Sequence, residues 1–211
     1  MYREYAKDYK VYVFSRKNKL EEGYSTKDMA SDLARVLKKL DIYKSSIMGI
    51  SQGGMIAQHL AIDYPDLVDK LVLAVTVGKA NETVKSVVSN WIEMANSGDY
   101  KGIIIDTTEK SYGENAIKKY RYLYPIITKV GKPKDFTRFI IQSKACINHD
   151  AYDKLHMIKC DTLVIGGDSD KIVGKNSSEE IAKQIPNSKL VVLKALVIWH
   201  MRKLRILILL F

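Results

Sequence analysis

The passage from Ser45 to Leu60 limits what this 211-residue chain can fold into more than any other part of it. A strand-like run, Ser45-Ser46-Ile47-Met48-Gly49-Ile50, meets Ser51-Gln52-Gly53-Gly54 and passes straight into the helix-like Met55-Ile56-Ala57-Gln58-His59-Leu60. The result is Gly-x-Ser-x-Gly written across a strand-to-helix turn, the pattern of a nucleophile elbow. So sharp a turn strains the serine backbone, and small neighbours, here Gly49 and Gly53, leave room for strand and helix to converge. Ser51 is therefore expected at the strand tip as a nucleophile, with the Gln52 backbone amide beside it as an oxyanion donor.

The rest of the chain alternates strand and helix signals. Val11-Tyr12-Val13-Phe14 reads as a short apolar strand. Ser25-Thr26-Lys27-Asp28 reads as a capped helix start, after which Met29, Leu33, Val36, Leu37 and Leu40 recur at helical spacing. A strand at 70–75 follows the elbow helix. After an insertion, the pattern resumes with a strand at 162–166, a helix at 177–184 and a strand at 189–193. The insertion, 78–150, reads as helical, with Val84, Val87, Val88, Trp91 and Ile92 as one stripe and Phe136, Phe139, Ile140 and Ile141 as another. Residue by residue, these stripes are the packing faces of helices. The alternation predicts an α/β chain, a doubly wound and mainly parallel sheet with helices on both faces. Residues 1–77 would form the first part of the core and 151–211 the second.

On these residues the chain resembles the α/β-hydrolase superfamily, from about Tyr9 to about Leu193. The run from Tyr64-Pro65-Asp66-Leu67 to Ala74 is similar to the family's end of the elbow helix, proline turn and next buried strand. Asp161-Thr162-Leu163-Val164-Ile165-Gly166-Gly167 and the residues to Val173 are similar to its late strand and the loop that carries the triad acid. The resemblance implies an incomplete α/β-hydrolase fold, a cap formed by the insertion, a Ser-His-Asp triad and no cofactor. In the family pattern the acid is the aspartate just before a Lys/Thr-Ile/Pro-Val stretch. Asp170 fits this better than Asp168, the second choice.

The family places its histidine after the last strand, as Gly-x-Gly-His or Gly-His followed by an amphipathic helix. His200 is the histidine in that order, and it is assigned as general base. It has neither the glycine before it nor such a helix after it. Read one base out of step, the codons from about Lys194 onward permit Gly-Leu-Gly-His-Met-Ala-Tyr-Glu-Glu-Ala-Lys-Asp-Phe-Asn, so a shifted frame is expected there. A loss is also expected at the N-terminus, where the family's early strands and a His-Gly loop with the second oxyanion donor would stand. The family's Asp-x-Arg-Gly-x-Gly-x-Ser stretch is degraded here to Phe14-Ser15-Arg16-Lys17-Asn18-Lys19-Leu20, although Gly23-Tyr24-Ser25 keeps its distal end. His59 lies along the elbow helix, and His149 and His156 precede the acid, so all three read as structural.

Composition narrows the function classes. The chain is 46% hydrophobic and 27% charged, that of an ordinary globular domain. Its formal net charge of +10 is spread along helices and turns, with no basic run longer than two residues, so nucleic acid is not an expected partner. Cys146 and Cys160 have no metal-ligand spacing and read as free thiols. No signal peptide and no membrane span are apparent, and a cytoplasmic location is expected.

The expected function is that of a serine hydrolase acting on a small carboxylic ester, thioester or lactone. Carbon-carbon bond hydrolases and cofactor-free haloperoxidases share the triad. The alternative is an inactive remnant that binds a ligand or partner. A further reading is a binder of anionic surfaces.

Overall fold

The computed structural model describes residues 5–194. In chain order its elements are α1 (Thr26–Lys39), β1 (Ser45–Ile50), α2 (Gln52–Asp63), β2 (Val68–Ala74), α3 (Glu82–Asn96), α4 (Tyr100–Ser111), α5 (Glu114–Arg121), α6 (Tyr124–Ile127), α7 (Thr137–Ile147), β3 (Asp161–Gly167), α8 (Ser177–Gln184) and β4 (Ser188–Leu193). The described strands form one parallel sheet in the order β1-β2-β3-β4. Ile50 pairs with Ala74 and Ala74 with Ile165, so the carboxyl ends of β1, β2 and β3 stand side by side along one edge. Strands in such a sheet are about 4.8 Å apart.

The two central strands carry buried apolar runs, Leu71 to Ala74 in β2 and Leu163 to Ile165 in β3, because both of their faces are covered there. Alternate residues Leu71, Leu73 and Val164 join Ala30 and Leu37 of α1, Leu60 of α2 and Ile181 of α8 in one core. Their neighbours Val72, Ala74, Leu163 and Ile165 point to the other face and cluster with Met48, Ile50, Val191 and Leu193. Burying each Leu or Ile side chain here contributes about 1.5–3 kcal/mol.

Helix α1 begins in a capping box: the Asp28 amide donates to the Ser25 hydroxyl at 3.1 Å, and the Ser25 amide donates to the Asp28 carboxylate at 2.9 Å. Its buried face differs from the predicted stripe. Thr26, Met29, Ala30, Ala34 and Leu37 face inward, whereas Val36 and Leu40 are 40% and 46% exposed. Alanines let α1 approach α2 closely, and that turns Val36 and Leu40 away from the contact.

The predicted strand at Val11–Phe14 is also corrected. These residues are exposed and belong to no strand, and Tyr12 stacks on Phe14. A strand needs a neighbour to take up its N–H and C=O groups, and no described strand lies beside this one.

Helices α3 to α7 leave and rejoin the sheet at one point. Lys79 and Asp150 form an antiparallel bridge and an ion pair at 2.6 Å, flanked by Ala80 N–H to His149 O and Ala151 N–H to Gly78 O at 2.9 and 2.8 Å. Val84, Val87 and Val88 of α3 are buried together with half-buried Trp91, Ile92, Cys146 and Ile147. Among the described residues no helix is long and apolar enough to cross a membrane.

Candidate active site

Ser51 stands between β1 and α2 with φ 51° and ψ −121°. A positive φ on a residue with a Cβ costs about 1–3 kcal/mol and persists only where the surroundings enforce it. Here the Ser51 amide donates to Ala74 O at 2.9 Å. Its carbonyl accepts from the Gly54 amide and from the Thr76 hydroxyl, each at 2.8 Å. The serine side chain makes no capping hydrogen bond to its own helix. Val75, at the tip of the adjacent strand, also has a positive φ, 45°. Two neighbouring strand ends thus carry strained residues at the same edge of the sheet.

The glycines act differently from the expectation. A Cβ on Gly49 would lie 2.5 Å from Gly53 O and 2.7 Å from the Gly54 Cα, so that position has no room. A Cβ on Gly54 would lie 2.6 Å from the Thr76 Cβ. A Cβ on Gly53 would meet nothing within 4 Å. The close approach is made by Gly49 and Gly54, because Gly54 is the position that turns toward the neighbouring strand end. Gly54, Thr76 and Val75 were missed in the sequence: the contact joins positions far apart in the chain, and neither residue type announces it.

Gln52 opens α2, where a first-turn N–H has no carbonyl a turn earlier to bond with. Its side chain reaches sideways, with Nε2 donating to Gln142 O at 2.8 Å and contacting Cys146 Sγ at 3.0 Å. The elbow is thereby tied to α7. Met55, one helical turn after Ser51, joins the apolar cluster of α3 together with Ile172 and Val173.

Asp170 lies in the loop after β3, two strands from the elbow. Its Oδ1 accepts from the amides of Ile172 and Val173, both at 2.8 Å. Burial raises its pKa above the ordinary carboxylate value, and the two amides oppose that rise. Asp168 is exposed and accepts from the Ser169 hydroxyl at 2.9 Å. Of the two aspartates, Asp170 is the half-buried one with a fixed carboxylate. His200 lies outside the described residues.

The other histidines are elsewhere. His149 is 2% exposed, with Nδ1 at 3.0 Å from the Thr26 hydroxyl and Nε2 at 3.3 Å from the Gln58 side-chain oxygen. His59 meets its ring edge-on at 5.2 Å. His156 is exposed on a 3₁₀ turn. Both cysteines are free thiols. A surface cavity of about 280 Å³, lined by residues including Lys17, Tyr24, Asp32 and Arg35, shares no residue with the elbow or the Asp170 loop.

A family model for the α/β hydrolase fold matches residues 7–99. A poly(3-hydroxyalkanoate) depolymerase of Ectopseudomonas oleovorans is 29% identical over 169 residues, 79% of this chain and 59% of that protein. The chain thus spans well under two thirds of that relative's length. Among solved structures, an α/β-hydrolase enzyme from a Medee basin deep-sea metagenome library superposes with a TM-score of 0.78 at 24% identity, over 89% of this chain and 71% of that one. The enol-lactonase of Burkholderia xenovorans LB400 superposes with a TM-score of 0.75 at 18% identity, over 89% and 72%.

Proposed function

Because the chain belongs to the α/β-hydrolase superfamily, we propose that it is a serine hydrolase of carboxylic esters, with thioesters and lactones as related substrates. The observation that carries this reading is the strained Ser51 at a sheet edge, held at φ 51° with no capping bond on its hydroxyl. Strain of this kind persists where it serves a site. The matched depolymerase is named for a polyester, which supports an ester as the bond cleaved.

In this reading the Ser51 oxygen attacks the carbonyl carbon while its proton passes to the His200 imidazole. Asp170 orients that ring, and the Gln52 amide donates to the oxyanion. The imidazolium then protonates the departing alcohol, and water, activated by the same ring, releases the acid and regenerates Ser51. Met55, one helical turn after Ser51, and Ile172 and Val173, just after Asp170, share an apolar cluster with Val84, and in this reading helices α3 to α7 act as the cap.

A fluorophosphonate probe tests the proposal. Labelling of the protein that disappears in Ser51→Ala, with 4-nitrophenyl ester hydrolysis lost in parallel, is the expected result. Absence of labelling in the folded wild-type protein would overturn it and leave ligand or partner binding as the reading.

A further inference from the structure

Two guanidinium groups, those of Arg16 and Arg138, meet on the side of the elbow where Gln52 reaches α7. Arg138, on α7, donates from Nη2 to the carbonyl of Arg16 at 2.9 Å and lies 3.4 Å from the Ser15 hydroxyl. The Nε atoms of both Arg16 and Arg138 are buried without a hydrogen-bond partner. Among the described residues no carboxylate pairs with either. Asp32, an acid of the same region, already accepts from Tyr24 and pairs with Lys17 and Arg35. The Cys146 thiol, which interacts electrostatically with Arg16, is pushed by burial up to about 11 and stays neutral near pH 7. Burial also lowers the Arg16 pKa, with the Arg138 charge adding to the effect.

Two adjacent positive groups with buried, unused donors are costly unless an anion joins them. The fork of N–H groups on each guanidinium fits the two oxygens of a carboxylate. The location adds the functional link. Cys146 also receives the Gln52 side chain, and Gln142, which accepts from Gln52, follows Arg138 by one turn of α7. Gln52 is the residue after Ser51.

We propose that Arg16 and Arg138 form a carboxylate-binding subsite of the elbow, so that the preferred substrates are esters with a free carboxylate at the far end of the acyl chain. The choice of ester rests on the serine-hydrolase reading; the anion site itself does not. Gln52 couples the two, since its backbone faces the reacting carbonyl and its side chain braces the helix that carries Arg138.

The test compares 4-nitrophenyl hydrogen adipate with 4-nitrophenyl hexanoate, which have acyl chains of equal length and differ in charge, on wild type, Arg138→Gln, Arg16→Gln and Arg138→Lys. Binding of linear dicarboxylates from succinate to suberate is measured by calorimetry on the same proteins. A charge-assisted pair of this type is worth about 10-fold or more in affinity. Wild type is expected to favour the anionic ester by at least that factor in kcat/KM, mainly through KM. Each glutamine variant should erase the preference and leave hexanoate turnover within about 3-fold. Arg138→Lys, which keeps the charge and loses the fork, should recover part of it. Equal turnover of the two esters by wild type, or an unchanged preference in both folded glutamine variants, overturns the subsite. If no ester is cleaved at all, the hydrolase reading fails and calorimetry decides the anion site alone. Dicarboxylate binding lost in Arg138→Gln sustains it, and no binding to wild type overturns it.

Discussion

Gly54 and Gly53 look interchangeable in the sequence, and the Thr76 side chain separates them. A methyl group on Gly54 has to enter space held by Thr76, whose hydroxyl holds the Ser51 carbonyl. Gly54→Ala should therefore cost about 1–3 kcal/mol in chemical denaturation and reduce probe labelling of Ser51. Gly53→Ala meets nothing and gains helix propensity, so it should leave stability unchanged or raise it by up to about 1 kcal/mol. Equal losses in the two variants would contradict this packing. Asp170 offers a second contrast. Burial raises its pKa, so over the window above the unfolded value the folded protein holds this proton more tightly, and stability falls as pH rises through the window. Above it the charged carboxylate is a net cost. Asp170→Asn keeps an oxygen for the amides of Ile172 and Val173 and removes that charge. Its melting temperature at pH 7 should equal or exceed wild type, while ester hydrolysis falls by roughly 10⁴-fold, as when a triad acid becomes an amide elsewhere.

At the scale of elements, α1, α2 and the return from α7 are joined by a buried polar chain. Thr26 of α1 meets His149, His149 meets Gln58 of α2, and Gln58 donates to Val77 O at 2.9 Å. Each of these side chains is satisfied by one on another element, so the chain fixes how the helices sit as well as how tightly. Burial pushes His149 down to about 3, with His59 adding to the shift and Asp150 opposing it. His59 moves in the same direction, again through burial first. The unfolded chain therefore binds more protons than the folded one between the ordinary histidine value and about pH 3. This stabilisation is complete above pH 6.5 and is lost as pH falls toward 3. A scan of melting temperature from pH 7 to pH 4 should show a steep fall, on the order of a few kcal/mol in stability. His149→Gln should lower stability at pH 7 and flatten the slope. A slope unchanged in that variant would place the titration in other groups.

At the scale of the whole molecule, the sheet brings together the carboxyl ends of strands that are widely separated in the chain. Ser51 follows β1 and Asp170 follows β3, so strand order and register set their spacing, and sequence distance does not. The strand at 45–50, the strand read at 162–166 and observed at 161–167, the helix at 177–184 and the valine stripe of α3 were legible in the sequence. Their signals are local, in apolar runs bounded by Gly, Pro and Asn and in one capping box. The position of Ser51 at the bend was legible for the same reason, since the elbow is a short motif whose backbone strain belongs to consecutive residues. Val11–Phe14 was misread because a strand also requires a partner, which composition does not supply. The Gly54–Thr76 contact, the shifted face of α1 and the Arg16–Arg138 pair were not legible. Each depends on which distant residue arrives as a neighbour. The sequence by itself determined where the chain would bend and which serine would sit at the bend, because hydrophobic period and turn chemistry act over a few residues. Only the tertiary structure decided which glycine must stay small, which histidines are buried and which arginines lie together, because packing and desolvation act between segments that the chain alone does not bring together.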